Sequence, residues 1–159
     1  MKNFILINNN RNIKMPVHTV NSLQKGQLLN KTYKNGNCVI IYHWNSCGHC
    51  QSLMPVLNNL LQREKQLLSN SNIFKVEYDD FNYLPRFLTN VSAFPYIVSY
   101  KNGEKIKEFD EQRTPHNLKK FIEESSVIIN DGTPLRTRIG TGTSKRLLKT
   151  YSSSSKDKK

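Results

Sequence analysis

With 159 residues and 24 Lys and Arg against 12 Asp and Glu, the chain carries a formal charge of +12; that length suits one ordinary domain and is short for two. An apolar share of 36% is low for a chain packed throughout, which puts part of the length outside any core. Three cysteines exclude a disulfide scaffold, because a small stapled domain spreads an even set along its length, and no run approaches the roughly eighteen apolar residues of a membrane helix.

Residues 1–16 are rich in Asn and Lys, with isolated apolar positions, and read as a flexible leader or one stray strand, whose longest apolar run, four consecutive residues, is too short for a signal peptide. Cytoplasmic residence is the default expectation. Residues 17–20 read as a short edge strand. Residues 22–33, with Leu23, Leu28 and Leu29 among polar neighbours, read as a weakly amphipathic helix ended by Asn35-Gly36-Asn37.

The run from Cys38 to Trp44 is continuous, β-branched and aromatic, the pattern of a strand covered on both faces of a sheet. From Cys50 onward Leu53, Met54, Val56, Leu57, Leu60, Leu61, Leu67 and Leu68 recur at helical spacing, which predicts a long helix to about Ser69, interrupted and kinked at Pro55. Residues 73–78 alternate as a second strand, followed by an Asp79-Asp80 cap and a short helix over 83–88. Residues 91–100 form a third strand reached through Pro95. Asn102-Gly103 turns the chain into a fourth strand over 105–109. Thr114-Pro115 then opens a helix with Leu118, Phe121 and Ile122 on one face.

Past about Ser126 the sequence becomes Thr, Ser, Gly and basic residues, with eight Lys and Arg from Pro134 onward against Asp157 alone. Residues 127–159 therefore read as a basic, disordered tail. Such a tail offers a docking surface for nucleic acid or an acidic partner. The lack of interleaved aromatics beyond Tyr151 favours a solubilising extension. Heavy Asn and Lys usage suits an AT-rich genome, and a large DNA virus with its own virion redox protein is one source that fits.

The chemistry concentrates in Trp44-Asn45-Ser46-Cys47-Gly48-His49-Cys50. A cysteine at a helix start gains free N–H groups and partial positive charge, which favour its thiolate. Cys47 occupies that place as attacking thiol, and His49 inside the loop adds a cation or donor that stabilises the reduced state. Cys50, a turn deeper, is placed to resolve a mixed disulfide. One C-x-x-C is also half of a zinc site, but His18, His43 and His116 are scattered and no second pair supplies the missing ligands, so no metal is expected. Cys38 reads as a small buried residue, the sharper alternative being a regulating or intermolecular thiol. Of His43 and Trp44, one is expected to pack in the core and the other to face the rim of the site.

The segment from Tyr42 to Cys50, with Pro55 five residues on, resembles the active-site segment of the thioredoxin superfamily, and Cys47-Gly48-His49-Cys50 resembles the loop of protein disulfide isomerases. Ala93-Phe94-Pro95-Tyr96 is similar to that family's cis-proline loop, and Tyr100-Lys101-Asn102-Gly103 to its hairpin. The resemblance covers roughly residues 17–124. It implies an α/β thioredoxin fold over 17–126, a central mixed sheet with flanking helices. It also implies a thiol-disulfide oxidoreductase leaning to oxidase or isomerase, with no cofactor. Cys47 would attack and Cys50 resolve. Trp44, Phe94 and a cis-Pro95 would contact substrate. The partners implied are protein thiols and disulfides and a redox partner that recycles the dithiol.

Two positions depart from the family pattern. Ile41 stands where a buried Asp or Glu usually accepts the proton of the resolving thiol, and Ser46 stands where Trp is common. Ile41 supports a rival reading, a non-catalytic binding module, virion-packaged or held by its tail on nucleic acid.

Overall fold

The computed structural model describes residues 17–65 and 71–127. The leader over 1–16, Leu67 and Leu68, and the basic tail beyond 127 lie outside the described residues.

Five strands form one mixed sheet: β1 (Val17–Val20), β2 (Asn37–His43), β3 (Asn72–Glu77), β4 (Tyr96–Lys101) and β5 (Glu104–Glu108), in the order β1-β3-β2-β4-β5. β1 and β2 run parallel to β3, while β4 runs antiparallel to β2 and β5 to β4. Within the described residues three helices flank the sheet: α1 (Leu23–Asn35), α2 (Gly48–Arg63) and α3 (Pro115–Val127). Among the described residues no helix is long and apolar enough to cross a membrane.

Alternation along β2 explains the two layers. Val39 and Ile41 point to one face, where they meet Ile73, Ile97 and the inward residues Leu53, Leu57, Leu60 and Leu61 of α2 and Leu118, Phe121 and Ile122 of α3. Cys38, Ile40 and Tyr42 point to the other, against Phe74, Val76, Val98 and Leu29 of α1. With both faces covered, every second residue has somewhere apolar to go, and the strand reads as an unbroken apolar run. Each fully buried large side chain there contributes about 1.5–3 kcal/mol of transfer free energy.

Several boundaries differ from those expected. α2 continues through Pro55 but ends at Arg63, where the Glu64 N–H closes on the Leu60 carbonyl. The expected short helix over 83–88 is two 3-10 segments, Tyr78–Tyr83 and Arg86–Leu88, separated by extended Leu84 and Pro85. β4 begins only at Tyr96, because Pro95 has no N–H for a ladder. The β4–β5 hairpin does turn at Asn102-Gly103, with φ of +49° and +83°. α1 docks on that turn through the Tyr33 hydroxyl, which donates to the Gly103 carbonyl at 2.6 Å. Near its other end α1 approaches the 3-10 segment so closely that Gly26 faces the Tyr83 carbonyl with no room for a Cβ.

Candidate active site

β2, buried through His43, releases the chain at Trp44, and a tight turn closed by the Cys47 N–H on the Trp44 carbonyl at 2.9 Å leads into α2. Cys47 is the residue before the first helical position, and its own carbonyl takes the first helical bond from the Gln51 N–H. This leaves the early amides of α2 pointing at the Cys47 sulfur. Gly48 and His49 are exposed, Cys47 partly so, and Cys50 is only 1% exposed on the inner side of the helix.

The two thiols are reduced and unequal. The Cys50 backbone N–H is the main influence holding the Cys47 thiol below its ordinary value, followed by the Cys50 side chain and the His49 backbone N–H, with the Arg113 guanidinium adding its charge. Burial pushes the Cys50 thiol up to about 11, with the Cys47 and Glu77 charges working in the same direction. The same four-residue loop thus holds one sulfur toward thiolate and the other toward thiol.

Opposite the dithiol the Phe94–Pro95 peptide is cis, and the Cys47 Sγ–H donates to the Phe94 carbonyl at 3.5 Å. Trp44 is 39% exposed and lies edge-on to Tyr78, ring centroids 5.7 Å apart, while Tyr78 meets Phe94 at 5.4 Å. The structure therefore joins Trp44 and Phe94 through Tyr78, which the sequence did not single out. Of the pair ending β2, Trp44 faces the rim and His43, 8% exposed, packs inward.

Two further groups were missed. Arg113 approaches from the loop before α3. Glu77, at the end of β3 and only 8% exposed, lies across from His43, with His43 Nδ1 and Glu77 Oε2 2.8 Å apart. The register that pairs these strands was the one signal that could have found it. Cys38 lies at the opposite end of β2, 1% exposed, its thiol pushed up to about 12 by burial. Among the described residues no group of three or more His, Cys, Asp or Glu is gathered as metal ligands.

Burial holds the His43 imidazole below its ordinary value of 6.5, although the Glu77 carboxylate pulls the other way. Unfolded His43 gains a proton near pH 6.5 that the folded residue refuses. Its contribution to stability is therefore complete above that pH and falls as pH drops from 6.5 toward the lower folded value, at no more than about 1.4 kcal/mol per unit. Urea unfolding at pH 7.5 and 5.5 is expected to show a smaller acid loss in His43→Phe than in the parent protein; equal losses would contradict this.

The sequence matches the Thioredoxin family over residues 17–124. It is similar to an uncharacterized protein of Schizosaccharomyces pombe, 30% identical over 97 residues covering 60% of this chain and 13% of that protein. It is also similar to the uncharacterized protein 196R of Invertebrate iridescent virus 6, 25% identical over 101 residues, 64% of this chain and 58% of that one. Both matches span less than two thirds of the relative's length. In structure the chain resembles the J-Trx1 fragment of ERdj5, with a TM-score of 0.55 at 17% identity, covering 70% of this chain and 52% of the other.

Proposed function

Because the chain belongs to the thioredoxin family, we propose that it exchanges disulfides in protein substrates through Cys47 and Cys50, in the oxidising or isomerising direction. The observation that carries this reading is the asymmetry of the pair: a partly exposed sulfur held toward thiolate beside a buried one pushed up to about 11.

In reduction or isomerisation the Cys47 thiolate attacks a substrate sulfur, the substrate S–S bond breaks, and one substrate sulfur leaves as thiolate. In reduction Cys50 then loses its proton and attacks the Cys47 Sγ, forming the Cys47–Cys50 disulfide and releasing the second substrate sulfur; in isomerisation another substrate thiolate attacks the mixed disulfide instead and releases the Cys47 thiolate. Oxidation is the reverse, and a redox partner restores the starting state. Donors aimed at the Cys47 thiolate stabilise the reduced pair and so make its disulfide oxidising. The cis Phe94–Pro95 peptide and the Trp44, Tyr78 and Phe94 rings give an extended substrate a backbone edge and an apolar wall. The likeness to an iridescent virus protein supports a viral setting for this exchange.

Insulin reduction and refolding of a scrambled protein test the reading. The parent chain is expected to catalyse both, and Cys47→Ser to run at the uncatalysed rate. Indistinguishable rates would favour the binding module that Ile41 supports. A reduction potential less negative than about −230 mV is expected; a value near about −270 mV would overturn the oxidising direction and leave a reductase.

A further inference from the structure

Ile41 packs in the apolar layer under α2, 1% exposed, and has no atom that could take a proton. A carboxylate reaches the same region from the neighbouring strand. In the β2–β3 register His43 faces Glu77. His43 Nδ1 and Glu77 Oε2 are sealed from solvent 2.8 Å apart as an ion-pair contact, and neither atom makes a hydrogen bond. The other oxygen, Oε1, accepts the Asn45 N–H at 2.9 Å, and the adjacent amide, that of Trp44, donates to the Cys50 Sγ at 3.4 Å. Consecutive peptide groups thus hold the buried sulfur and the buried carboxylate.

Packing alone does not ask for this arrangement. Burying a carboxylate costs several kcal/mol unless it is paired and hydrogen-bonded, and apolar residues of similar size commonly serve stability as well or better. A buried charge maintained beside a sulfur that must shed a proton has a chemical use.

We propose that Glu77 accepts the Cys50 proton in the resolving step and that His43 positions its carboxylate, an inference that rests on the dithiol exchange described above. As the Cys50 Sγ–H bond breaks, the electron pair left on sulfur forms the bond to the Cys47 Sγ. The Cys47–substrate bond breaks, its pair leaves with the substrate sulfur, and the proton passes to Glu77 and then to solvent. Oε2 stands 2.8 Å from Nδ1 without a hydrogen bond, which leaves it a lone pair for the incoming proton. Burial disfavours the charged imidazole. The charged and titratable groups around the pair are Cys47 from the start of α2, Lys75 on the same strand, Asp80 in the following 3-10 segment, and Arg113 across Cys47. Lys75 is itself tied to the Asn58 side chain at 3.2 Å.

A symmetric aromatic disulfide, 5,5′-dithiobis(2-nitrobenzoate), separates the two steps in stopped flow, since Cys47 attack releases one coloured thiolate and Cys50 attack the second. In Glu77→Gln, which keeps the shape of the side chain, the first phase is expected to stay within about twofold. The second should slow about 100-fold near pH 7 and recover steeply as pH rises, the size expected for losing a positioned base. Glu77→Asp should regain part of the lost rate. In the Cys47→Ser background, Glu77→Gln should also lower the pH at which Cys50 becomes alkylated, an effect that a purely structural role would not produce alongside a slower second phase. An unchanged second phase, or equal slowing of both, would overturn the proposal. If Glu77→Gln does not fold, carbon-13 NMR of the unsubstituted reduced protein decides. The Glu77 carboxyl resonance should inflect where Cys50 titrates, and a flat response would overturn the inference. The aromatic disulfide requires no protein substrate, so a chain inactive on insulin yet slowed only in its second phase would sustain this inference while the protein-substrate reading fails.

Discussion

Cys50→Ser is expected to leave the chain covalently joined to its substrates. Cys47 would still attack, because the main donor to its thiolate is the backbone N–H of residue 50 and a serine hydroxyl can replace the thiol as a side-chain donor. The next step would have no nucleophile. A thiol held one helical turn away acts at an effective concentration far above any free thiol in solution, so its loss should cut turnover by at least about a thousandfold. Mixed disulfides through Cys47 should then survive non-reducing electrophoresis and disappear on adding dithiothreitol, and mass spectrometry of the adducts would identify the substrates. Adducts no more abundant than in the parent chain would show that Cys50 is not the resolving thiol.

Gly26→Ala is expected to be the most damaging small change to the fold, although Gly26 lies far from the reactive loop in sequence. Alanine is favoured over glycine in a helix by about 1 kcal/mol. At this position, however, the added methyl would enter the van der Waals surface of the Tyr83 carbonyl, a backbone atom that cannot rotate aside. Overpacking of this kind costs about 1–3 kcal/mol and occasionally more; contact with an immovable backbone atom puts Gly26 at the upper end, so after the helix gain the net loss should be about 2 kcal/mol, or about 10 °C in a domain of this size. Relief requires moving α1 or the Tyr78–Tyr83 segment, and the latter carries Tyr78 and Phe81 against Phe94. Activity on protein substrates should therefore fall too. Gly48 supplies the contrast: nothing lies within 4 Å of a Cβ placed there, and its φ is not positive. Gly48→Ala should leave the melting temperature unchanged or slightly raised. Equal melting temperatures for Gly26→Ala and the parent would refute this account.

These residues also show what could be read without coordinates. The central strand, the helix after Cys47 and the Asn102-Gly103 hairpin are written in local patterns: a doubly covered apolar run, helical spacing, and a turn that needs positive φ. The dithiol was legible for the same reason, its parts being four consecutive residues. Glu77 was not. It falls at a polar position of an alternating strand, which locally means solvent, and its burial depends on His43, 34 positions earlier in the chain and aligned by parallel register. Arg113 and Tyr78 likewise come to the site from separate segments, the loop before α3 and the 3-10 segment after β3. The stretch over 83–88 departs from one helix because Pro85 disfavours helical backbone at Leu84, which is extended and divides two 3-10 segments.

The position of Cys38 settles a question of bookkeeping among the sulfurs. Three cysteines can pair in three ways, and an oxidant acting on a flexible chain would sample all of them. Cys38 and the reactive loop are fixed at opposite ends of β2. The five residue steps from Cys38 to His43 alone hold them roughly 16 Å apart, whereas a disulfide requires α-carbons within about 7 Å. Two of the three pairings are closed to the folded chain, and its internal disulfide chemistry reduces to a single binary choice, Cys47 joined to Cys50 or not.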